Sequence, residues 1–178
     1  MNLISTNIKG LYILENPIIK DERGFFHKPF NFDVFRETGL DTDFHEFYYS
    51  VSKKDVIRGM HFQIPPYEHT KLVYVSSGKI LDVVLDIRKK SETFGQCFSV
   101  ELTPEAGKYM YIPKGCAHGF LSLEDDSIVN YAQTTGYSKE CDKGILYNSF
   151  GFNWNIQDEI VSARDKSFPE LSEFKSPF

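Results

Sequence analysis

The segment Lys71–Arg88, KLVYVSSGKILDVVLDIR, constrains the fold more than any other part of the chain. It holds two short runs of Val, Ile and Leu broken by Ser76-Ser77-Gly78-Lys79. β-Branched side chains in runs this short suit a pleated strand better than a helix, and the Ser-Ser-Gly-Lys break reads as a hairpin turn. KYMYIPKGCAHGFLSL repeats the design around Pro113-Lys114-Gly115, and SIVNYAQTTGY is a further strand. LYILENPIIKDERGFFHKPF reads as strand, turn, strand, with the turn at Asp21-Glu22-Arg23-Gly24. Only NFDVFRETGL has apolar residues at helical spacing (Phe32, Phe35, Leu40), which predicts one short helix over 31–38. Beyond Trp154 the chain is polar, with room for a short helix and a tail on the surface. Many short strands separated by Gly and Pro turns predict an all-β sandwich or barrel with a few short helices. The 178 residues are expected to form one domain, with a core over about 10–154 and residues 155–178 packing on its surface.

Charge and cysteine usage narrow the function. The net charge of −5 argues against nonspecific nucleic-acid binding, which needs an excess of Lys and Arg. No apolar run approaches the roughly 18 residues of a membrane span. The opening MNLISTNIKGLYIL lacks the basic and apolar regions of a signal peptide. Cys97, Cys116 and Cys141 are odd in number and show no C-x-x-C spacing, which fits reduced thiols in a cytoplasmic protein. Cys116 stands close to His118, but nothing else in the chain suggests acyl transfer, and a buried inert thiol is the simpler reading.

Gly107, Pro113, Gly115 and His118 stand at G-x5-P-x-G-x2-H spacing, with Ser122 where an Asn would follow. This resembles the second motif of the cupins, which are jelly-roll proteins. The first cupin motif supplies two His and a Glu to a metal. Aligned on Gly78, this chain offers His69, then Lys71 in place of the second His, and no carboxylate over 72–77. An ammonium cannot ligate a metal, and functional metal sites usually have three or four protein ligands. No metal and no cofactor are therefore expected.

A wider set of motifs carries a more specific resemblance. DERGFF (21–26), SKKDVIRGMHFQ (52–63), TKLVYVSSGKILDVVLDIRKKSETFGQ (70–96), YIPKGCAHGF (111–120), YAQTTGYS (131–138), KGILYN (143–148) and FNW (152–154) occur in that order. Together they make the chain similar to the nucleotide-sugar 3,5-epimerases, typified by dTDP-4-dehydrorhamnose 3,5-epimerase. The resemblance implies a nucleotide-diphosphate 4-keto sugar as substrate, in deoxysugar and surface-polysaccharide biosynthesis, and a homodimer. The N-terminal LISTNIKGLYIL is a candidate for strand exchange between subunits.

Epimerisation beside a ketone needs a base on one face, a proton donor on the other and a positive group at the enolate oxygen. By resemblance His61 is the base, Tyr131 the donor and Lys71 the cation. Arg23 and Arg58 are implied at the diphosphate, where a guanidinium can donate two parallel hydrogen bonds. Phe26, Gln63, His118 and Tyr137 are the remaining substrate-binding residues expected, and Asp82 is a possible orienting partner for His61. His118 could equally brace its strand end, Lys71 could be a solvated strand charge, and Tyr131 a half-buried strand aromatic. His69 reads as loop, and His27 and His45 carry no expected role.

The chain departs from the family at several places. Tyr147-Asn148-Ser149 stands where the family has WND, so the Asp taken to pair with the base is missing there. Lys28, Glu46 and Tyr48 replace Glu, Gln and Asn. These changes leave the nucleotide open among dTDP, CDP and GDP. With the poorer base that a missing Asp implies, they favour one dominant centre of inversion, C5. The alternatives are a 3,4-ketoisomerase on the same scaffold, a metal-dependent cupin dioxygenase, and a sugar-binding cupin without catalysis.

Overall fold

The computed structural model describes residues 1–178. Fourteen strands and two short helices alternate along the chain. The strands are β1 (Asn2–Ser5), β2 (Tyr12–Glu15), β3 (Ile19–Asp21), β4 (Gly24–Phe26), β5 (Glu46–Ser52), β6 (Val56–Gln63) and β7 (Lys71–Ser77). They continue as β8 (Ile80–Asp86), β9 (Cys97–Leu102), β10 (Lys108–Ile112), β11 (Cys116–Ser122), β12 (Ser127–Gln133), β13 (Asp142–Gly144) and β14 (Ile160–Val161). Helix α1 spans Phe32–Glu37, with Asn31 as its N-cap accepting from the Val34 N–H, and α2 spans Ala163–Lys166.

One sheet runs β1-β2-β10-β7-β12-β5 and the other β13-β6-β11-β8-β9, with β14 added parallel to β6. Strands β3 and β4 form a separate hairpin around the expected turn. The two sheets pack as a jelly-roll sandwich, the architecture anticipated from the strand spacing.

The turns at Ser76–Lys79 and Pro113–Gly115 are not hairpins. In each case the chain reverses but crosses from one sheet to the other: β7 and β10 lie in the first sheet, β8 and β11 in the second. Turn chemistry specifies the reversal, not whether the flanking strands share hydrogen bonds. Here they meet face to face, with Val73 and Val75 of β7 in the same apolar cluster as Ile80 and Val84 of β8. Gly78 turns at φ 73°, and Ser127 occupies the space a Cβ would need.

Strand β8 is buried on both faces, which is why ILDVVLDIR reads as a continuous apolar run. Ile80 and Val84 point between the sheets. Val83, Leu85 and Ile87 point the other way, into a second cluster with Ile57, Leu121, Ile145 and Trp154. Burying each such side chain stabilises the fold by about 1.5–3 kcal/mol. Phe174 and Phe178 cover this outer cluster, so the C-terminal segment is a layer of the fold. A third cluster joins Phe35 of α1 to Leu14, Leu72, Tyr109 and Tyr111 on the outside of the first sheet.

The N-terminal segment pairs within its own chain, Asn2 opposite Glu15 and Ser5 opposite Tyr12. It forms a hairpin at the sheet edge rather than an extended arm. No helix is long and apolar enough to cross a membrane.

Candidate active site

Between the sheets, away from the β1–β2 edge, lies a cavity of about 350 Å³. Its walls come from opposite sheets. Strand β6 and its neighbour β11 supply His61, Gln63 and His118, while β7, β12 and β5 supply Lys71, Tyr131, Gln133, Tyr48 and Glu46. Alternation along each strand aims these residues at one another.

His61 is the best-placed base. Its Nε2 lies 3.0 Å from Oδ1 of Asp165, and the other oxygen of Asp165 accepts from the Gly59 N–H at 3.0 Å. An ionised carboxylate only accepts, so Nε2 carries the proton and Nδ1 is left as the basic nitrogen. Asp165 is 4% exposed. Burial raises its pKa, but hydrogen bonds from His61, Gly59 and Ser162, together with the His61 charge, outweigh it and leave the carboxyl below its ordinary value. Phe168 stands edge-on to the imidazole, with centroids 5.7 Å apart. It can seat there because Gly144, directly opposite His61 in the sheet, has no Cβ to displace it.

Asp82 does not orient His61. Its Oδ2 lies 2.7 Å from Nε2 of His118, and both residues are buried. The two histidines are neighbours across β6 and β11, but each has its own carboxylate. The C-terminal segment, expected only to cover the surface, supplies the partner of His61. Ser149, where the family Asp was missed, caps the local turn by donating to the Leu146 carbonyl and accepting from the Leu171 N–H.

Lys71 is buried, and its Nζ reaches only the His61 carbonyl, at 3.4 Å. Burial drives its pKa down to about 8 against the pull of Asp142 and Asp82. Tyr131 is also buried, and burial pushes its pKa well above the usual tyrosine range, so it stays protonated. Arg58 lines the cavity, held by Ser52 Oγ at 3.0 Å and the Val51 carbonyl at 3.1 Å. Tyr137 stands exposed at the rim.

Gln63 also lines the cavity, but its amide is committed. It donates to the Tyr67 and Gly136 carbonyls and accepts from the Ser138 N–H, so it ties two loops together rather than offering free donors. His69 lies in a loop, as its sequence suggested, yet it is buried in the cavity wall. Burial, then the Lys71 charge, lowers its pKa to about 3 and keeps it neutral. Arg23 and Phe26 are not at the cavity of their own chain. Arg23 pairs with Asp21 on the β3–β4 hairpin, and Phe26 is exposed beside it.

Asp165, Asp142 and Arg164 were not anticipated from the sequence. The last two form an ion pair of 2.6 Å at the cavity wall. The signal for Asp165 was faint: Ser162 at the N-cap of α2, its hydroxyl accepting from the Asp165 N–H, fixes a carboxylate at the third helical position. No group of three or more metal-ligating side chains occurs in the structure.

Comparison with known proteins identifies the family. The family model for dTDP-4-dehydrorhamnose 3,5-epimerase matches residues 5–173. A dTDP-4-dehydrorhamnose 3,5-epimerase of Shigella flexneri is 40% identical over 168 residues, covering 93% of each chain. The crystal structure of a dTDP-6-deoxy-D-glucose-3,5-epimerase from Legionella pneumophila, in complex with dTDP-4-keto-L-rhamnose, superposes with a TM-score of 0.92 at 35% identity, covering 98% of this chain and 94% of that one. A 3'-monoepimerase from Streptomyces bikiniensis, in complex with dTDP-quinovose, superposes at 0.89 and 30% identity, covering 94% and 86%. With an imidazole, a buried ammonium and a phenol on facing walls of a jelly roll, the chain belongs to the dTDP-4-dehydrorhamnose 3,5-epimerase family and is a carbohydrate epimerase.

Proposed function

We propose that the protein inverts both C3 and C5 of dTDP-4-keto-6-deoxyglucose. The observation that carries this reading is His61, held by Asp165 on one wall, facing the sheet that presents Tyr131 and Lys71. Nδ1 of His61 takes the proton from the carbon beside the ketone, and the C–H electrons pass into the enolate. Lys71 stabilises the negative oxygen, and a buried, fixed cation does this without reorganising solvent. Tyr131 delivers a proton to the opposite face, and exchange with water then resets His61 and Tyr131.

The case for a single dominant centre rested partly on a base without its carboxylate. Asp165 removes that ground, because His61 has a buried, ionised partner. The dTDP nucleotide is favoured over CDP and GDP by the relatives' ligands. Arg58 and Tyr137 are assigned to the diphosphate and the nucleotide at the cavity mouth, and His118 to a sugar oxygen.

The protein works as a homodimer in this reading. Strand β5 is a sheet edge that exposes Phe47, Tyr49 and Val51 on its outer face. Phe25 and Phe26 are exposed on the β3–β4 hairpin. Apolar edges of this kind are usually covered. A second copy would cover them and let Arg23 and Phe26 serve the neighbouring cavity. The three unpaired cysteines suit the reducing cytoplasm.

Incubation with dTDP-4-keto-6-deoxyglucose in D₂O, followed by NMR, tests the function. Deuterium at C3 and C5 with a doubly inverted product is expected. Deuterium at C5 alone would reduce the enzyme to a monoepimerase, and no exchange at either carbon would remove the reading. Light scattering at micromolar concentration should give twice the chain mass.

A further inference from the structure

Tyr131 has an aromatic neighbour that the family pattern does not supply. Register places Tyr48 of β5 directly opposite Tyr131 of β12. The two rings are 4.6 Å apart, with planes 14° from parallel, so one covers the face of the other. His118 meets Tyr131 edge-on at 6.0 Å. The Tyr131 ring is thus bounded by two aromatic groups.

Tyr48 is itself anchored at its polar end. Its hydroxyl donates to Oε1 of Gln133 at 3.4 Å, and Nε2 of Gln133 donates to Oε2 of Glu46 at 3.2 Å. Register aligns Glu46 with Gln133 just as it aligns the two tyrosines. Glu46 and Tyr48, both departures from the family, therefore work together: one secures the ring that the other presents. Tyr48 is 40% exposed, so its role is not to fill the core.

We propose that Tyr48 is a positioning residue, whose ring face holds the phenol of Tyr131 at the angle from which it protonates the enolate. The proposal rests on the reading of Tyr131 as the proton donor. A phenol swings about two side-chain torsions, and a displacement of about 1 Å in a reacting group can cost 10²-fold in rate. Without the stack, His61 still removes the substrate proton, but delivery from the far face slows. The enolate is then recaptured from the side it came from. In D₂O the proton on His61 exchanges for a deuteron, which returns to the same face. A C–H bond becomes a C–D bond with configuration unchanged.

The readout is the ratio of deuterium in recovered, uninverted sugar to inverted product, with dTDP-4-keto-6-deoxyglucose as the probe. Both events occur in the same folded sites, so loss of folded protein cannot move the ratio. Tyr48→Leu should raise the ratio about tenfold and lower kcat by about as much, with KM changed less than about threefold. Tyr48→Phe keeps the ring face but loses the anchor to Gln133, so its ratio should fall between the wild type and Tyr48→Leu. Tyr48→Trp also keeps a stacking face and should keep the ratio low. An unchanged ratio in Tyr48→Leu would overturn the proposal, as would a Tyr48→Phe enzyme as impaired as Tyr48→Leu, because the hydroxyl would then be the active part. Tyr131→Phe separates the two layers. If it leaves the ratio unchanged, the donor assignment itself fails. If it raises the ratio while Tyr48→Leu does not, only the positioning role fails.

Discussion

Nε2 of His61 lies 3.0 Å from Oδ1 of Asp165, a residue 104 positions further along the chain. The pair is assembled from a strand inside a sheet and from a helix of four residues near the C-terminus. The carboxylate fixes which nitrogen is free, and in the proposed reaction it stabilises the imidazolium that forms when His61 takes the substrate proton.

Replacing that carboxylate should therefore damage chemistry more than binding. Asp165→Asn is expected to lower kcat by about 10²-fold or more, with a much smaller change in KM. NMR assays of inversion at each centre check this. The pairing also enters stability. Asp165 has a folded pKa below its unfolded value, so its contribution is present above the unfolded value and fades as pH falls through the depressed one. Wild type should lose more stability than Asp165→Asn on acidification below about pH 4.

Lys71 should impose an alkaline limb. Its ammonium, pulled down to about 8, must be protonated to stabilise an enolate, so kcat/KM of the free enzyme should fall above about pH 8. The same shift sets a sign for stability. The fold disfavours the charged form, which is a cost below pH 8 that is relieved between about 8 and the unfolded value near 10.4. Lys71→Met should abolish most turnover and yet raise Tm at pH 7, by no more than the order of 3 kcal/mol in stability. A variant that is both inactive and less stable would show that Lys71 is a structural cation.

Exhaustive dialysis against EDTA should leave turnover unchanged. The position that would complete a cupin metal set is Lys71, and no three ligating side chains gather anywhere in the fold. Activity lost on chelation and restored by one divalent ion would contradict this.

Asp86 should matter to stability and not to chemistry. It is buried and lies outside the cavity, accepting from Arg88 at 2.7 Å, Ser91 at 2.6 Å and Thr93 at 2.7 Å. Burial raises its pKa, but these bonds outweigh that and bring it to about 2. Asp86→Ala should destabilise the protein by about 3 kcal/mol, because the Arg88 guanidinium loses its partner. Thermal melts read the loss, and kcat of the folded fraction should be unaltered. The contribution present above the unfolded value near 3.9 should disappear as pH falls toward 2.

Strands β7, β8, β10, β11 and β12, the β3–β4 turn and α1 were legible in the sequence because short β-branched runs, turn residues and an Asn cap are local signals, whereas β1, β5, β9, β13 and β14 were not read as strands. The sheet to which each strand belongs was not legible. Ser76–Lys79 marks a reversal in either case, and only packing across the sandwich decides that β7 and β8 meet face to face. His61, Tyr131 and Lys71 were singled out through their motifs, and the fold brings all three to one cavity. Asp82 was assigned to the wrong histidine because register places Phe120 of β11 opposite Asp82, with His118 two residues along the same face. Asp165 was missed because it lies in a polar stretch whose only local mark is the Ser162 cap. Arg23 and Phe26 mark a second limit: motif membership did not reveal that both lie away from the cavity of their own chain.

The contact of Phe168 with Gly144 and His61 has a consequence for synthesis of the protein. A ribosome completes every strand of both main sheets before it reaches Ser162. The sheets can therefore form while the His61 imidazole still lacks its Asp165 partner. Only when the stretch holding Asp165 and Phe168 emerges and docks over Gly144 is the ring held as the proposed mechanism requires. A chain stopped or clipped a few residues short of Ser162 would lose Asp165 and also the Phe174 and Phe178 cover of the outer cluster, so in the proposed mechanism activity reports on the arrival of this last layer as well as on formation of the sheets.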